Sequence, residues 1–461
     1  MGKKTQEIKE FGLSDKLGYM FGDLGNDFTF ILSTTFLMKF YTDVMGVSAA
    51  LVGAMMMLAR FLDAVTDVAM GQIADRSKPL AKGKFLPWIR RMCGPVAVAS
   101  FLMYAVWFRN MSMGFKIFWM FFSYLLWGSV FYTSINIPYG SMASAISGDP
   151  KHRAELSNWR TIGATLAGMV ISVVIPVVVY YTDANGNQVM SGNRMAIAAA
   201  LCSAASIICF LLCYFLSTER VKVEQKTEKF SLRKLLFGLA NNRPLVGIIL
   251  ASVFILFAQL TLQGMANYIY PNYFRNIAAQ SVSGFVSVPV VFILAAFTAK
   301  LSERYGRKTL GIVSTLFGAA VLGILFIIHT TNAWVFVALY TVMYLGLGLF
   351  SMITWAMITD VIDDTEVQTG ERSDGTIYAV YSFARKLGQA AASGITGVLL
   401  TWIGYSTATQ FEPSVVNGIY NMTCLVPAVG FVLVAVVLYF WYPLGKKRVE
   451  ENARKLAEKV R

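Results

Sequence analysis

Residues Ala50–Gly71 read ALVGAMMMLARFLDAVTDVAMG. The opening run is apolar and helix-forming, yet Arg60, Asp63 and Asp67 follow without a break. A charge at bilayer depth costs at least a few kcal/mol, so three within two helical turns need a partner or a function. Outward from this stretch the whole chain reads as membrane. Of its 461 residues, 56% are hydrophobic and 14% charged, with mean hydropathy +0.56; a soluble domain carries about 25% charged residues.

A spanning helix needs about 20 mostly apolar residues. Twelve segments meet that measure: 17–41, 46–74, 87–107, 117–146, 157–181, 195–217, 243–271, 280–300, 309–329, 334–359, 376–403 and 417–443. The expected fold is an all-α membrane protein of twelve transmembrane helices in two six-helix halves. Residues 1–217 form the first bundle, 218–242 a cytoplasmic linker, 243–445 the second bundle and 446–461 a basic cytoplasmic tail. Taking the N-terminus as inside places most of the 40 basic residues in the inside segments, which puts both termini in the cytoplasm. The net charge of +14 is therefore topology and gives no nucleic-acid signal. The tail could also lie on anionic lipid. The polar N-terminus shows no cleavable signal peptide, and localisation in the plasma or inner membrane as a multi-pass protein is expected.

Two carboxylates four residues apart share a helix face, with Arg60 on the turn before. In low dielectric they repel, and each resists ionisation. A hard metal ion or a proton between them removes the conflict, so Asp63 and Asp67 are candidates for a coupling-ion site, Na+ or H+, with Thr66 a further oxygen donor. Asp23 and Asp27 repeat the spacing in the first helix. The bland alternative is that the acids staple helices by pairing with Arg160, Arg385 or Lys386.

Tyr124–Ser144, YLLWGSVFYTSINIPYGSMAS, carries Tyr132, Thr133, Asn136 and Tyr139, with Pro138 interrupting the backbone ladder. Lipid alone would not demand these groups, whereas a cavity accommodates them. Sugars offer hydroxyls around an apolar ring face, so their sites combine aromatic platforms with Arg and Asp; Trp127, Trp159 and Trp355 are possible platforms. Soluble catalytic patterns are absent. His152 and His329 form no cluster, the five cysteines lie in apolar runs as packing residues, and no phosphate-binding GxxxxGK[ST] loop occurs. No enzyme activity and no cofactor beyond the coupling ion are expected.

A weak repeat joins the halves: GQIADRSKPLAKGK follows the second span and AKLSERYGRKTLG the second span of the other half. Asp75–Arg76 and Glu303–Arg304 are the matching acid–arginine pairs. Together with GYMFGDLGNDF, GKFLPWI, NIPYGSM, RAELSNWR and DGTIYAVYSFARKLGQA, they make the chain resemble the cation-coupled sugar symporters of the glycoside–pentoside–hexuronide family, within the major facilitator superfamily. In that fold two halves rock about a midplane site. The likeness runs over nearly the whole chain and is nearer to glucuronide and xyloside permeases than to the melibiose permease.

The resemblance implies that Asp63, Asp67 and Thr133 bind the cation, that Asp27 and Arg160 hold sugar hydroxyls, and that Lys386 lies near both sites. Asn136, Asp23, Tyr132 and Trp159 join the sugar group, Arg60 and Arg385 the charge network, and Asp75, Arg76, Glu303 and Arg304 a cytoplasmic gate. Asn136 replaces an acid of the melibiose permease, Asn26 a lysine and Gly140 a tryptophan, and Asp23 has no acidic counterpart there. The expected function is import of a glycoside (glucuronide, xyloside or related oligosaccharide) on a Na+ or H+ gradient, by a monomer whose partners are the sugar and membrane lipid. A lipid or lysolipid carrier of the same fold, or a non-transporting sugar sensor, are the alternatives.

Overall fold

A computed structural model describes residues 10–80, 82–221, 242–370 and 374–460. Of the expected linker, 222–241 lie outside the described residues, as do the first nine residues of the polar N-terminus. The chain is helical almost throughout: α1 (Leu13–Asp43), α2 (Ala49–Arg76), α3 (Leu86–Leu102), α4 (Met113–Ile146), α5 (Pro150–Val179), α6 (Gly192–Leu216), α7 (Arg243–Tyr273), α8 (Ile277–Tyr305), α9 (Arg307–Ile328), α10 (Ala333–Thr369), α11 (Asp374–Trp402), α12 (Pro413–Phe440) and α13 (Lys446–Val460). Short strands Tyr180–Thr182 and Gln188–Met190 pair between α5 and α6. Among the described residues nine helices are long and apolar enough to cross a membrane, or ten if α8, bent by 46°, counts as one span. The two long helices outside that set, α1 and α11, are those carrying Asp23, Asp27, Lys39, Arg385 and Lys386.

Local sequence starts these helices where polar side chains can satisfy otherwise unpaired N–H groups. Asp149, Asn242, Asn276 and Asn332 cap α5, α7, α8 and α10, accepting from backbone N–H groups at 2.8–3.0 Å. Apolar side chains such as Leu201, Ile327 and Trp402 stay exposed, as lipid-facing surface does in a solvent where hydrophobicity no longer drives burial.

Packing separates the chain into two units: Met1–Val47, Phe61–Tyr181 and Val189–Glu228 form one; Ser48–Arg60, Thr182–Gln188 and Lys229–Arg461 form the other. In the first unit α1 packs on α5 and α6, and α3 on α6. Buried hydroxyls reach across these contacts: Ser206 Oγ donates to the Gly25 carbonyl at 2.7 Å and Tyr104 Oη to that of Leu32 at 2.9 Å. Asp15, in the first turn of α1, takes a bidentate grip from Arg220 at 3.1 and 2.8 Å. Its neighbour Glu219 caps α3, its carboxylate accepting from the N–H groups of Lys84, Phe85 and Leu86 at 2.7–2.8 Å. Burial pushes that carboxyl above the usual range, while the three N–H donors and Lys84 pull it back.

In the second unit α12 packs against α7 and α9, and α10 against α8 and α9. The amphipathic helix α13 is held to α10: Arg448 reaches Asp364 at 2.9 and 3.0 Å, and Asn452 Nδ2 donates to it at 2.8 Å. The segment after the last helix of each half thus clasps the loop between its second and third helices. Glu219 does so at Gly83, and Lys446 at Gly306, where its Nζ donates to the Arg304 carbonyl at 3.3 Å.

Candidate functional site

The two acids of α2 meet α4, and α4 changes its winding there. Leu126–Tyr132 is a π-helical stretch, preceding the α-helical turns from Thr133. Such stretches loosen the backbone ladder and recur at functional sites. Ser129 Oγ donates to Asp63 Oδ1 at 2.7 Å, and Thr133 Oγ1 to Asp67 Oδ1 at 2.9 Å. The i, i+4 pair of carboxylates is thus matched by an i, i+4 pair of hydroxyls. Thr133 also donates to the Gly128 carbonyl at 3.1 Å. Gly128 lies against this acid: a Cβ there would stand 3.5 Å from Asp63 Oδ1, in ordinary van der Waals contact. Thr133 is buried and Asp63 only 7% exposed. The Thr66 hydroxyl turns back to the Asp63 carbonyl at 3.2 Å.

The second cluster lies on α1 and α5. Arg160 Nε donates to Asp23 Oδ1 at 2.8 Å. The Arg160 guanidinium also lies over the Tyr139 ring at 5.5 Å, and Tyr139 Oη donates to the Tyr19 carbonyl at 2.7 Å. Asp27, one turn beyond Asp23, is half-buried and forms no hydrogen bond or ion pair among the described residues. Asn26 beside it is 1% exposed with neither amide atom paired; leaving such a group unmade costs about 1–3 kcal/mol. Asn136 and Trp159 are half-buried. Tyr132 stacks on Phe30 at 5.6 Å and lies 5.2 Å from the Trp127 ring. Phe30 is one turn from Asp27, so one stretch of α4 touches both clusters.

Arg60 is buried at the head of the acidic stretch. Arg60, Arg385 and Lys386 belong to the second unit, whereas the two acidic clusters belong to the first. Arg385 lies over the rings of Trp355 and Tyr381 at 5.6 and 5.9 Å, and Lys386 is half-buried. Of the gate residues, Asp75 is 3.9 Å from Lys84, and Arg76 is exposed. Glu303 lines a cavity of about 700 Å³ with Arg307, Asp360, Lys446 and Glu450. Ion pairs there join Arg307 to Asp360 and Lys446 to Glu450, and Arg304 lies over the Tyr305 ring at 5.3 Å.

Sequence reasoning missed four residues: Ser129, Lys39, Asp43 and Glu219. Ser129 has a readable signal, the hydroxyl four residues before Thr133 matching Asp63 and Asp67. Lys39 and Asp43, paired at 2.8 Å and both nearly fully buried at the end of α1, were legible as an i, i+4 pair. Glu219 had none, because its partners are backbone groups far away in sequence.

Comparison with known proteins agrees with this architecture. The family described as MFS/sugar transport protein matches residues 18–446. The glucuronide carrier protein homolog of Escherichia coli K12 is 30% identical, covering 94% of this chain and 93% of that protein. The isoprimeverose transporter of Lactiplantibacillus pentosus is 28% identical, covering 95% and 93%. Solved structures share the fold at low identity. A bacterial homolog of the human lysosomal transporter Spinster gives a TM-score of 0.67 at 12% identity over 95% of this chain and 97% of its own. A D-xylose–proton symporter gives 0.64 at 14% identity over 93% and 98%. The chain therefore belongs to the MFS/sugar transport protein family, among the glycoside–pentoside–hexuronide sugar symporters, and is a multi-pass protein of the cell membrane.

Proposed function

We propose that this chain imports a glycoside of the glucuronide or xyloside kind, driven by a Na+ or H+ gradient, through twelve spans with both termini in the cytoplasm. The observation that carries the coupling is the doubled contact of α2 and α4, in which Ser129 holds Asp63 and Thr133 holds Asp67. Two carboxylates, two hydroxyl oxygens and the loosened backbone of a π-helical stretch supply the oxygen donors a hard cation requires; a proton shared by the acids meets the same electrostatic need.

Sugar hydroxyls are assigned to the open carboxylate of Asp27, the guanidinium of Arg160, Asn136 and the aromatic faces of Tyr132 and Trp159, with Asp23 orienting Arg160. A carboxylate and a guanidinium each grip a pair of neighbouring hydroxyls by charge-assisted hydrogen bonds. Coupling follows from shared structure: filling the ion site fixes Leu126–Thr133, and Tyr132 in that stretch supports α1 beside Asp27. Each ligand then raises the affinity of the other by the same factor. The likeness to the glucuronide carrier homolog and the isoprimeverose transporter supports the sugar class, and the positive-inside distribution supports the orientation.

Sugar binding to the purified protein at increasing Na+, and separately across pH, tests this reading. Affinity should rise at least fivefold with one of the two ions, and Asp63→Asn should remove that dependence. Affinity indifferent to both would sink the coupling assignment.

A further inference from the structure

We propose that a basic cavity where the start of α3 meets the end of α6 binds the phosphate headgroup of an anionic membrane phospholipid. The cavity, of about 310 Å³, is lined by Leu80, Lys82, Pro87, Arg90, Arg91 and Tyr214. Three of the six carry positive charge and none is acidic. Its volume suits one small ligand group.

The cations are held without being neutralised. Lys82 Nζ lies over the Tyr214 and Phe215 rings at 4.4 and 5.0 Å. Arg90 lies over the Tyr214 ring at 5.4 Å and donates to its hydroxyl at 3.4 Å. Among the described residues Lys82, Arg90 and Arg91 form no ion pair. Glu219, close by at Gly83, spends its carboxylate on three backbone N–H groups. Aromatic faces thus position the charges while leaving their Coulombic attraction available to an added anion.

The surroundings favour a lipid over a free anion. Leu201, Ile208 and Phe215 of α6 are exposed, at 65, 59 and 65%. Their seven-residue spacing makes one stripe on the helix surface that ends at the cavity. An acyl chain lying along that stripe brings its phosphate to Lys82, Arg90 and Arg91, at the polar end of two spanning helices. Basic pockets between membrane helices recognise headgroups in this way.

The test uses the full-length purified chain in neutral detergent, titrated with phosphatidylglycerol and, separately, phosphatidylcholine of the same acyl chains, with bound lipid read by native mass spectrometry. Phosphatidylglycerol should bind at least tenfold more tightly. Lys82→Gln with Arg91→Gln should weaken it by roughly thirtyfold, on the basis of one basic residue's typical attraction to anionic lipid. Lys82→Arg with Arg91→Lys should preserve binding, which separates lost charge from misfolding. Lys151→Gln with Arg153→Gln, removing as much charge from another exposed segment, should change it less than twofold. Equal loss in that control, equal affinity for phosphatidylcholine, or full displacement by inorganic phosphate would each overturn the proposal, the last by making it a free-anion site.

Discussion

Asp63 and Asp67 are tolerable at membrane depth because α4 offers each a hydroxyl at 2.7–2.9 Å, and the two donors are not interchangeable. Thr133 also anchors to the Gly128 carbonyl, so Thr133→Val removes the proposed ion ligand and a brace of the π-helical stretch together. Ser129→Ala removes only the donor to Asp63. Losing one hydrogen bond to a charged group costs about 1.5–3 kcal/mol, so Ser129→Ala should lower the melting temperature and weaken the coupling ion about tenfold or more, as unfolding and ion titration of sugar binding will record. Asp27, unbonded, contrasts with Asp23, which holds Arg160. Asp27→Asn should therefore raise the sugar Kd at least tenfold while leaving the unfolding temperature within a degree or two. Asp23→Ala should harm binding and stability alike. The paired acids were legible because i, i+4 spacing states which side chains share a face, whereas Thr133 entered the ion site only through the family resemblance. Ser129 was harder to see, since membrane serines commonly bond their own helix, as Ser134 does to the Val130 carbonyl at 2.6 Å.

At the level of elements, each of the twelve segments overlaps a helix, and among the described residues nine or ten of those helices are long and apolar enough to span a membrane, α1 and α11 falling outside that measure. The π-helical stretch was not readable, because the side chains its hydroxyls meet, Asp63 and Asp67 of α2, lie far away in sequence. The loops were legible only in part. The repeated acid–arginine pairs drew attention to Glu303 and Arg304, while the buried contact joins Arg307 to Asp360, a partner far away in sequence. Gly83 has φ +117, and a Cβ there would collide with the Glu219 carboxylate, which three N–H groups hold in place. Gly83→Ala should cost about 1–3 kcal/mol through strain in this backbone region, visible as a lowered melting temperature, and Glu219→Ala should relieve the clash but not the strain. Arg448→Ala removes the counter-ion of the buried Asp364 carboxylate and leaves it only the amide donors of Asn452 and Gln368, a loss of about 1–3 kcal/mol. Asp364→Asn leaves a half-exposed Arg448 free to reach water and should be the milder change in the same unfolding assay.

Across the whole molecule, the residues proposed for ion and sugar in the first unit lie on four of its helices, α1, α2, α4 and α5, and α2 itself contributes to both units. That distribution suits a transporter, in which a ligand biases helix packing, better than an enzyme, in which reacting groups converge on one bond. The family and membrane class were legible from the chain alone, because charge at depth is rare enough to be informative. The sugar was not, since hydroxyl recognition depends on positions a few tenths of an ångström apart. The most direct test is uptake of labelled xylosides, glucuronides and galactosides into vesicles bearing the wild-type chain or Asp63→Asn, under a sodium or a proton gradient imposed separately. The account predicts that wild-type vesicles concentrate one sugar class on one gradient and that Asp63→Asn vesicles do not. Undiminished accumulation by Asp63→Asn, or none of any glycoside on either gradient, would contradict it.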